Sequence, residues 1–189
     1  GALLLLLFLP AGTPLYWQAW VYLGVLLIPA AIMGLVLFRR DPKLLERRMK
    51  LRESSPAQKR AIGVLSLILI AVFLVPGLDR RCGWSIVPDH VAVFGDVLVL
   101  VGYAWYALTL RENRFASRVV EVQAGQTVIA TGPYALVRHP MYLGLSVIFL
   151  ATPIALASWW GMVPALLFPV ALGARIADEE RLLIGDLEG

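Results

Sequence analysis

Residues 138–175 read RHPMYLGLSVIFLATPIALASWWGMVPALLFPVALGAR, and they hold two apolar runs separated by a short turn. The runs are residues 141–157 and 160–174, and residues 158–161, Ser-Trp-Trp-Gly, form the turn. Each run approaches the roughly 20 apolar residues with which a helix crosses a bilayer. This stretch therefore predicts a membrane hairpin of two helices, with polar residues at its open end.

The composition predicts the same class of protein for the whole chain. Of its 189 residues, 59% are hydrophobic and 16% are charged, and the mean hydropathy is +0.76. Soluble domains carry about 25% charged residues. We therefore expect an all-α, polytopic integral membrane helical bundle, a single domain with about five or six transmembrane helices.

Further apolar segments precede the hairpin and account for this helix number. They are a first run that ends near residues 10–12, followed by residues 17–38, 61–75 and 91–110. Pro76-Gly77 is expected to end the third of these helices. The chain begins inside an apolar run without Met and stops just after an acidic cluster, so we expect both termini to be truncated.

A basic segment, residues 39–60, predicts the orientation. It holds nine basic and three acidic residues, a net charge of +6. Basic loops stay in the cytoplasm, so this segment is expected there, where it could also contact lipid or a partner. Leu44, Leu45, Met49 and Leu51 interleave with the charges and favour an amphipathic surface helix.

Alternation of the helices from this loop brings two polar clusters to one face. Arg138 and His139 precede the hairpin, and Glu179 and Glu180 follow it. Both clusters are expected at the cytoplasmic face, where charged side chains beside a membrane helix indicate a functional site. Asp96, inside an apolar segment, is expected to be paired within the bundle.

The residue types in the two clusters suit a zwitterionic, nucleoside-like ligand. Arg138 and His139 supply hydrogen-bond donors, and the glutamates supply acceptors for an amine or for ribose hydroxyls. Pro140 suits the first turn of a helix, whose free N–H groups suit a carboxylate. The sequence therefore predicts a polar pocket at the membrane surface.

Metal and nucleic-acid sites are not expected. Cys82 is the only cysteine, and His90 and His139 are far apart, with no metal-ligand spacing. The net charge of +4 lies largely in the basic segment beside the membrane, so it does not indicate nucleic acid.

A two-part motif in this chain resembles that of a known superfamily. Its parts are Gly132-x-Tyr134-x-x-x-Arg138-His139-Pro140-x-Tyr142 and, later in the chain, Arg175-x-x-x-Glu179-Glu180. The superfamily consists of the membrane methyltransferases related to isoprenylcysteine carboxyl methyltransferase, which include phospholipid and thiol methyltransferases. Asn113, Phe115 and Ser117 resemble the polar stretch that precedes their motif. The resemblance covers about residues 95–189.

The resemblance implies S-adenosylmethionine as methyl donor and a lipophilic or membrane-associated acceptor, a carboxylate, amine or thiol. The donor would be bound by Glu121, Gln126, Thr127, Val128, Ile129, Tyr134, His139, Pro140, Met141, Tyr142 and Glu179. We expect Arg138, Arg175 and Glu180 to serve the catalytic step. The superfamily often has His in place of Gln126, and it usually has a further segment after the acidic pair.

We therefore expect one methyltransferase domain over residues 1–189. Its N-terminal part, residues 1–90, supplies helices and the basic loop, and residues 91–189 carry the motif and the cofactor pocket. Compactness and the lack of a targeting tail favour a prokaryotic inner membrane. The acceptor and the oligomeric state stay open.

Two other functions compete with this interpretation. The Arg-His-Pro-x-Tyr motif is also similar to one in NADPH-dependent sterol reductases, although those chains are longer and have more spans. A membrane scaffold or transporter subunit is the non-enzymatic alternative. Transporters place polar groups near the bilayer midplane rather than at one rim.

Overall fold

The computed structural model describes residues 1–49, 56–113 and 129–186 of the chain. All the regular structure in these ranges is helical, as the sequence predicts. The helices are α1 (Ala2–Ala11), α2 (Trp17–Arg40), α3 (Pro42–Met49), α4 (Pro56–Cys82), α5 (Asp89–Glu112), a 3₁₀ helix (Gly132–Ala135), α6 (Pro140–Ala155) and α7 (Met162–Asp186).

The predicted apolar segments all form helices, but their lengths differ. Within the described ranges, three helices are long and apolar enough to cross a membrane: α2, α4 from Lys59, and α5. The helix α1 and the apolar parts of α6 and α7 are shorter, between 10 and 17 residues. Within the described ranges, the short apolar helices pack beside the long ones, which is consistent with the predicted membrane helical bundle.

The prediction that Pro76-Gly77 ends a helix is wrong, because α4 continues to Cys82. Proline is tolerated inside membrane helices when neighbouring helices surround it. The adjacent glycine permits a close contact, since a Cβ on Gly77 would lie 2.6 Å from the carbonyl oxygen of Leu7. The Pro-Gly pair therefore serves the packing of α1 on α4.

The last helix continues beyond its apolar run. The apolar run ends near residue 174, yet α7 continues to Asp186 and carries Arg175, Glu179 and Glu180 on one helix. The predicted amphipathic helix forms as α3, with Leu44 buried against α5, and its position at a membrane surface stays a prediction.

The helices α5 and α6 pack backbone against backbone. A Cβ on Gly95 would lie 2.4 Å from the nitrogen of Ala155, and one on Gly102 would lie 3.0 Å from the carbonyl oxygen of Gly144. Small residues permit this approach between membrane helices, where dispersion contacts drive association. This close contact places the start of α6, and therefore the motif, against the end of α5.

The turn between α6 and α7 is fixed at the opposite end of the bundle. Asp79, at the end of α4, is buried and accepts hydrogen bonds from the hydroxyls of Ser85 and Ser158 and from the backbone N–H of Ser85. The hydroxyl of Tyr16 donates to the carbonyl oxygen of Leu156. These bonds satisfy the buried carboxylate and tie the hairpin turn to α2 and α4.

Asp96 was expected to be paired within the bundle, and the part of the chain that the structure describes shows no such pairing for one of its carboxylate oxygens. It is buried in α5, but its Oδ1 atom has no hydrogen-bond partner among the described residues.

Candidate active site

The site is built at the start of α6. Pro140 is the first residue of the helix, as expected, and His139 precedes it without a side-chain cap. The indole N–H of Trp105 donates to the carbonyl oxygen of Pro140 at 2.8 Å, which fixes this helix start against α5. The first N–H groups of α6 therefore keep the capacity to bind a negatively charged group.

His139 joins α6 to the acidic part of α7. Its Nε2 lies 3.0 Å from Oε1 of Glu180, so the two predicted clusters meet. This hydrogen bond is the largest of the effects that lower the pKa of the Glu180 carboxyl, and the charge of Arg138 acts in the same direction. Because an ionised carboxylate only accepts, His139 donates its Nε2–H to Glu180.

His139 and Glu180 form the polar rim of the site. Tyr142 lies one turn further along α6 and connects this rim to the interior of the bundle. Its ring stacks on that of His139, with centroids 5.9 Å apart. Its hydroxyl oxygen accepts a hydrogen bond at 3.1 Å from Nε of Arg175, a side chain only 7% exposed. Burial of a guanidinium in a largely apolar helix is costly, and so favours a functional position for Arg175.

Beyond this pair lies a cavity of about 400 Å³ between α4, α6 and α7. Tyr142, Arg175 and Arg48 are its polar residues apart from Ser66, whose hydroxyl is engaged with its own helix at the carbonyl of Ile62. The rest of the lining is apolar: Ile62, Leu65, Leu69, Met141, Leu145, Phe149, Phe168 and Leu172. A cavity with apolar walls and converging polar groups is a typical small-molecule site. We call it the hairpin cavity.

Arg48 is a site residue that the sequence interpretation assigned only to the charge of the basic segment. It donates to the hydroxyl of Tyr106 and lies 3.3 Å from Sδ of Met141. Its guanidinium carbon also lies 5.6 Å from the centre of the Tyr106 ring, a cation–π distance. The sequence feature that could have identified Arg48 is its spacing from Leu44. Arg48 follows the buried Leu44 by one helical turn and therefore lies on the same inward face of α3.

The first residues of the motif form the 3₁₀ helix that leads to α6. Gly132 has φ +57°, the left-handed region that favours glycine. The carboxylate of Glu112 lies 3.1 Å from where its Cβ would be, and the hydroxyl of Thr131 donates to that carboxylate. The amide of Asn113 donates to the hydroxyl of Tyr134 at 2.8 Å. The predicted Asn113 and Tyr134 thus join the end of α5 to the motif.

The remaining predicted residues are placed as follows. Pro140 and Met141 lie in the first turn of α6, and Met141 lines the hairpin cavity. Arg138 is exposed beside His139, outside the lining of that cavity, and Ile129 is half-buried before the 3₁₀ helix. Glu121, Gln126, Thr127 and Val128 lie outside the described residues, and so does the side chain of Glu179.

Taken together, apolar membrane-length helices and a polar rim beside an apolar cavity define a membrane protein with a site at the open end of a helical hairpin. A family model described as phospholipid methyltransferase matches residues 90–185. The chain belongs to this family, which lies within the superfamily related to isoprenylcysteine carboxyl methyltransferase. It is thus an integral membrane methyltransferase. A search of curated proteins gives no match.

Proposed function

We propose that the protein transfers a methyl group from S-adenosylmethionine to the amine of a phospholipid-like amphiphile. The observation that carries this proposal is the Tyr142–Arg175 hydrogen bond, which places a polar rim directly beside an apolar cavity. A polar donor and a lipophilic acceptor need that combination. The family description names phospholipid methyltransferases, which supports the choice of acceptor class.

The residues at the rim fit the donor. The uncapped N–H groups at the start of α6 suit its carboxylate, and the ionised Glu180 suits its amine or ribose hydroxyls. Tyr134 and Tyr142 supply aromatic faces for the adenine. The donor-binding roles of Glu121, residues 126–128 and Glu179 are part of the same proposal and rest on the superfamily's motif.

The hairpin cavity fits the apolar part of the acceptor. Its apolar walls come from α4, α6 and α7, and Ser66 at its edge is exposed where α4 faces outwards. The guanidinium groups of Arg48 and Arg175 would bind the phosphate of a phospholipid, which places its amine towards His139. A carboxylate or thiol acceptor remains compatible with the same two charges.

In the chemical step, the protein would position the two reactants and provide a proton acceptor. The bound donor supplies an electrophilic sulfonium methyl group; the acceptor lone pair forms the new bond to carbon as the carbon–sulfur bond breaks. His139 would accept the amine proton at Nδ1, and Glu180 would orient the ring through Nε2. The lowered pKa of Glu180 makes it a weak base, which favours this division of roles. Arg138, exposed beside them, would assist by its charge.

The site is proposed to face the cytoplasm of a prokaryotic inner membrane. The +6 charge of residues 39–60 supports this orientation, because the described start of this segment lies at the same end of the bundle as the site.

Calorimetry of the purified protein with S-adenosylmethionine and with NADPH tests the donor. We expect binding of the former alone, weakened by about tenfold or more in His139→Gln, as for loss of a hydrogen bond to a charged group. His90→Gln, an exposed histidine at the other end of the bundle, is the matched control and should bind normally. Binding of NADPH alone would support a reductase instead.

A second assay tests the acceptor. Methyl transfer from labelled donor to an amine-bearing phospholipid should fall in Arg175→Gln while donor affinity stays unchanged. Labelling of free thiols or fatty carboxylates, with none of the phospholipid, would overturn the proposed acceptor and leave the donor proposal intact.

A further inference from the structure

A second cavity lies on another face of the bundle, between α2, α3 and α5, with a volume of about 940 Å³. None of its lining residues lines the hairpin cavity. Its walls are apolar along α2 and α5, and Ala104 and Ala107 leave room where α5 faces it. We call it the α2–α5 groove.

The charged residues of this groove are concentrated at one end. Arg40 and Arg111, both exposed, come from the last turns of α2 and α5. Asp41 lies beside them, but its Oδ1 accepts the backbone N–H of Leu44 at 3.0 Å and so caps the start of α3. This end of the groove therefore carries two guanidinium groups and one carboxylate, a net positive charge.

The length of the groove matches one leaflet of a bilayer. Its lining runs from Pro29 to Arg40 on α2 and from Leu100 to Arg111 on α5. At 1.5 Å per residue, each wall is about 16 Å long, close to half of the roughly 30 Å hydrocarbon core. Since α2 and α5 are both long enough to span the membrane, the arginines lie at the depth of lipid phosphates when the apolar walls face acyl chains.

We propose that the α2–α5 groove binds one anionic phospholipid, with an acyl chain along the apolar walls and its phosphate between Arg40 and Arg111. The anionic class follows from the charge of the groove's end, because a lipid with no net charge gains less from two guanidinium groups. This site is separate from the methyl acceptor's cavity, and the proposal does not depend on which acceptor the enzyme uses.

The bound lipid would also support the active site through α3. Leu44 of this helix lines the groove and packs with Tyr106 and Leu110 of α5. One turn later Arg48 lines the hairpin cavity and contacts Met141. A lipid that fills the groove would therefore contact the helix that contributes a lining residue to each cavity.

The test is native mass spectrometry of the full chain, exchanged into mild detergent with equal amounts of phosphatidylglycerol and phosphatidylcholine. We expect one retained phosphatidylglycerol per chain. Each surface arginine contributes about fivefold to anionic-lipid affinity, so Arg40→Gln/Arg111→Gln should lower retention by about 25-fold. Arg39→Gln, which removes a neighbouring exposed arginine outside the lining, should lower it far less.

A second pair of variants tests the apolar part without changing charge. Ala107→Trp fills the groove and should abolish retention, whereas Leu108→Trp, on an exposed position outside the lining, should not. A melting curve for each variant shows that it is folded. Equal retention of both lipids, or no retention by the unaltered chain, would overturn the proposal. So would phosphatidylglycerol retention that survives both the double Gln variant and Ala107→Trp.

Discussion

The hydroxyl oxygen of Tyr142 accepts a hydrogen bond from Nε of Arg175 at 3.1 Å, which joins the first turns of α6 to the middle of α7. Both side chains are largely buried, and both line the hairpin cavity. The same tyrosine ring stacks on His139 at the rim. One residue thus connects the polar and apolar halves of the site.

Tyr142→Phe should separate positioning from donor binding. The variant keeps the ring stacked on His139 but removes the acceptor of the Arg175 hydrogen bond, which leaves a buried donor at a cost of about 1–3 kcal/mol. We expect turnover to fall about tenfold or more, with donor affinity nearly unchanged, measured by initial rates and calorimetry. Unaltered turnover would show that Arg175 needs no such restraint.

Donor binding should depend on the ionisation of Glu180. Its carboxyl has a lowered pKa, so its contribution is complete above the ordinary glutamate range and is lost as pH falls through the lowered value. In His139→Ala the main cause of the shift is gone, and the acid limb of the affinity profile should move to higher pH. Calorimetric titrations across acidic pH test this, and an unmoved limb would contradict the role of His139.

Gly132→Ala should destabilise the start of the motif. Its Cβ would approach the Glu112 carboxylate at 3.1 Å, and its backbone would keep a left-handed conformation that costs roughly 1–2 kcal/mol. Gly173→Ala is the matched control, because a Cβ there meets nothing within 4 Å. Thermal unfolding should separate the two variants; equal melting temperatures would refute the strain argument.

Gly95→Ala should weaken the contact between α5 and α6. The added Cβ would lie 2.4 Å from the nitrogen of Ala155, so the helices must move apart, at roughly 1–3 kcal/mol. Gly63→Ala, with open space at its Cβ, should be neutral or stabilising. Unfolding in denaturing detergent provides the comparison, and identical stabilities would argue against backbone-to-backbone packing.

Asp79→Ala should destabilise the turn end of the bundle. It leaves the buried hydroxyl of Ser158 without its acceptor, at a cost of about 1–3 kcal/mol. Asp89→Ala removes an exposed carboxylate from the first turn of α5, where the helix dipole makes it worth about 0.3–1 kcal/mol. The former should therefore lower the melting temperature more, and the reverse order would contradict this account.

The helical segments and the motif were predictable because hydropathy and residue type are local properties of the chain. The alternation of helices predicted that His139 and Glu180 share one face of the membrane, but not their contact at 3.0 Å, which the structure adds. The role of Pro76-Gly77 was not predictable, because it depends on Leu7, a partner about 70 residues away. Single-sequence patterns carry no information about such contacts.

The two cavities were not predictable for the same reason. Arg48 looks like any other charge in residues 39–60, and only the packing of α3 against Tyr106 places it beside Met141. The α2–α5 groove depends on the spacing between two helices that are separated by about 50 residues of sequence. Its apolar residues are indistinguishable from ordinary lipid-facing positions until the helices are packed.

The hydrogen bonds around Asp79 have a consequence for motion. They fasten the turn between α6 and α7 to α4, with Ser158 buried at the junction. At the opposite end, His139 meets Glu180 across the half-open rim, where water competes for the contact. The hairpin should therefore open at one end only. The ends of α6 and α7 near His139 and Glu180 separate where reactants enter, while the turn at Ser158 stays in place. Hydrogen exchange should accordingly be slowest at the turn and fastest beside Glu180.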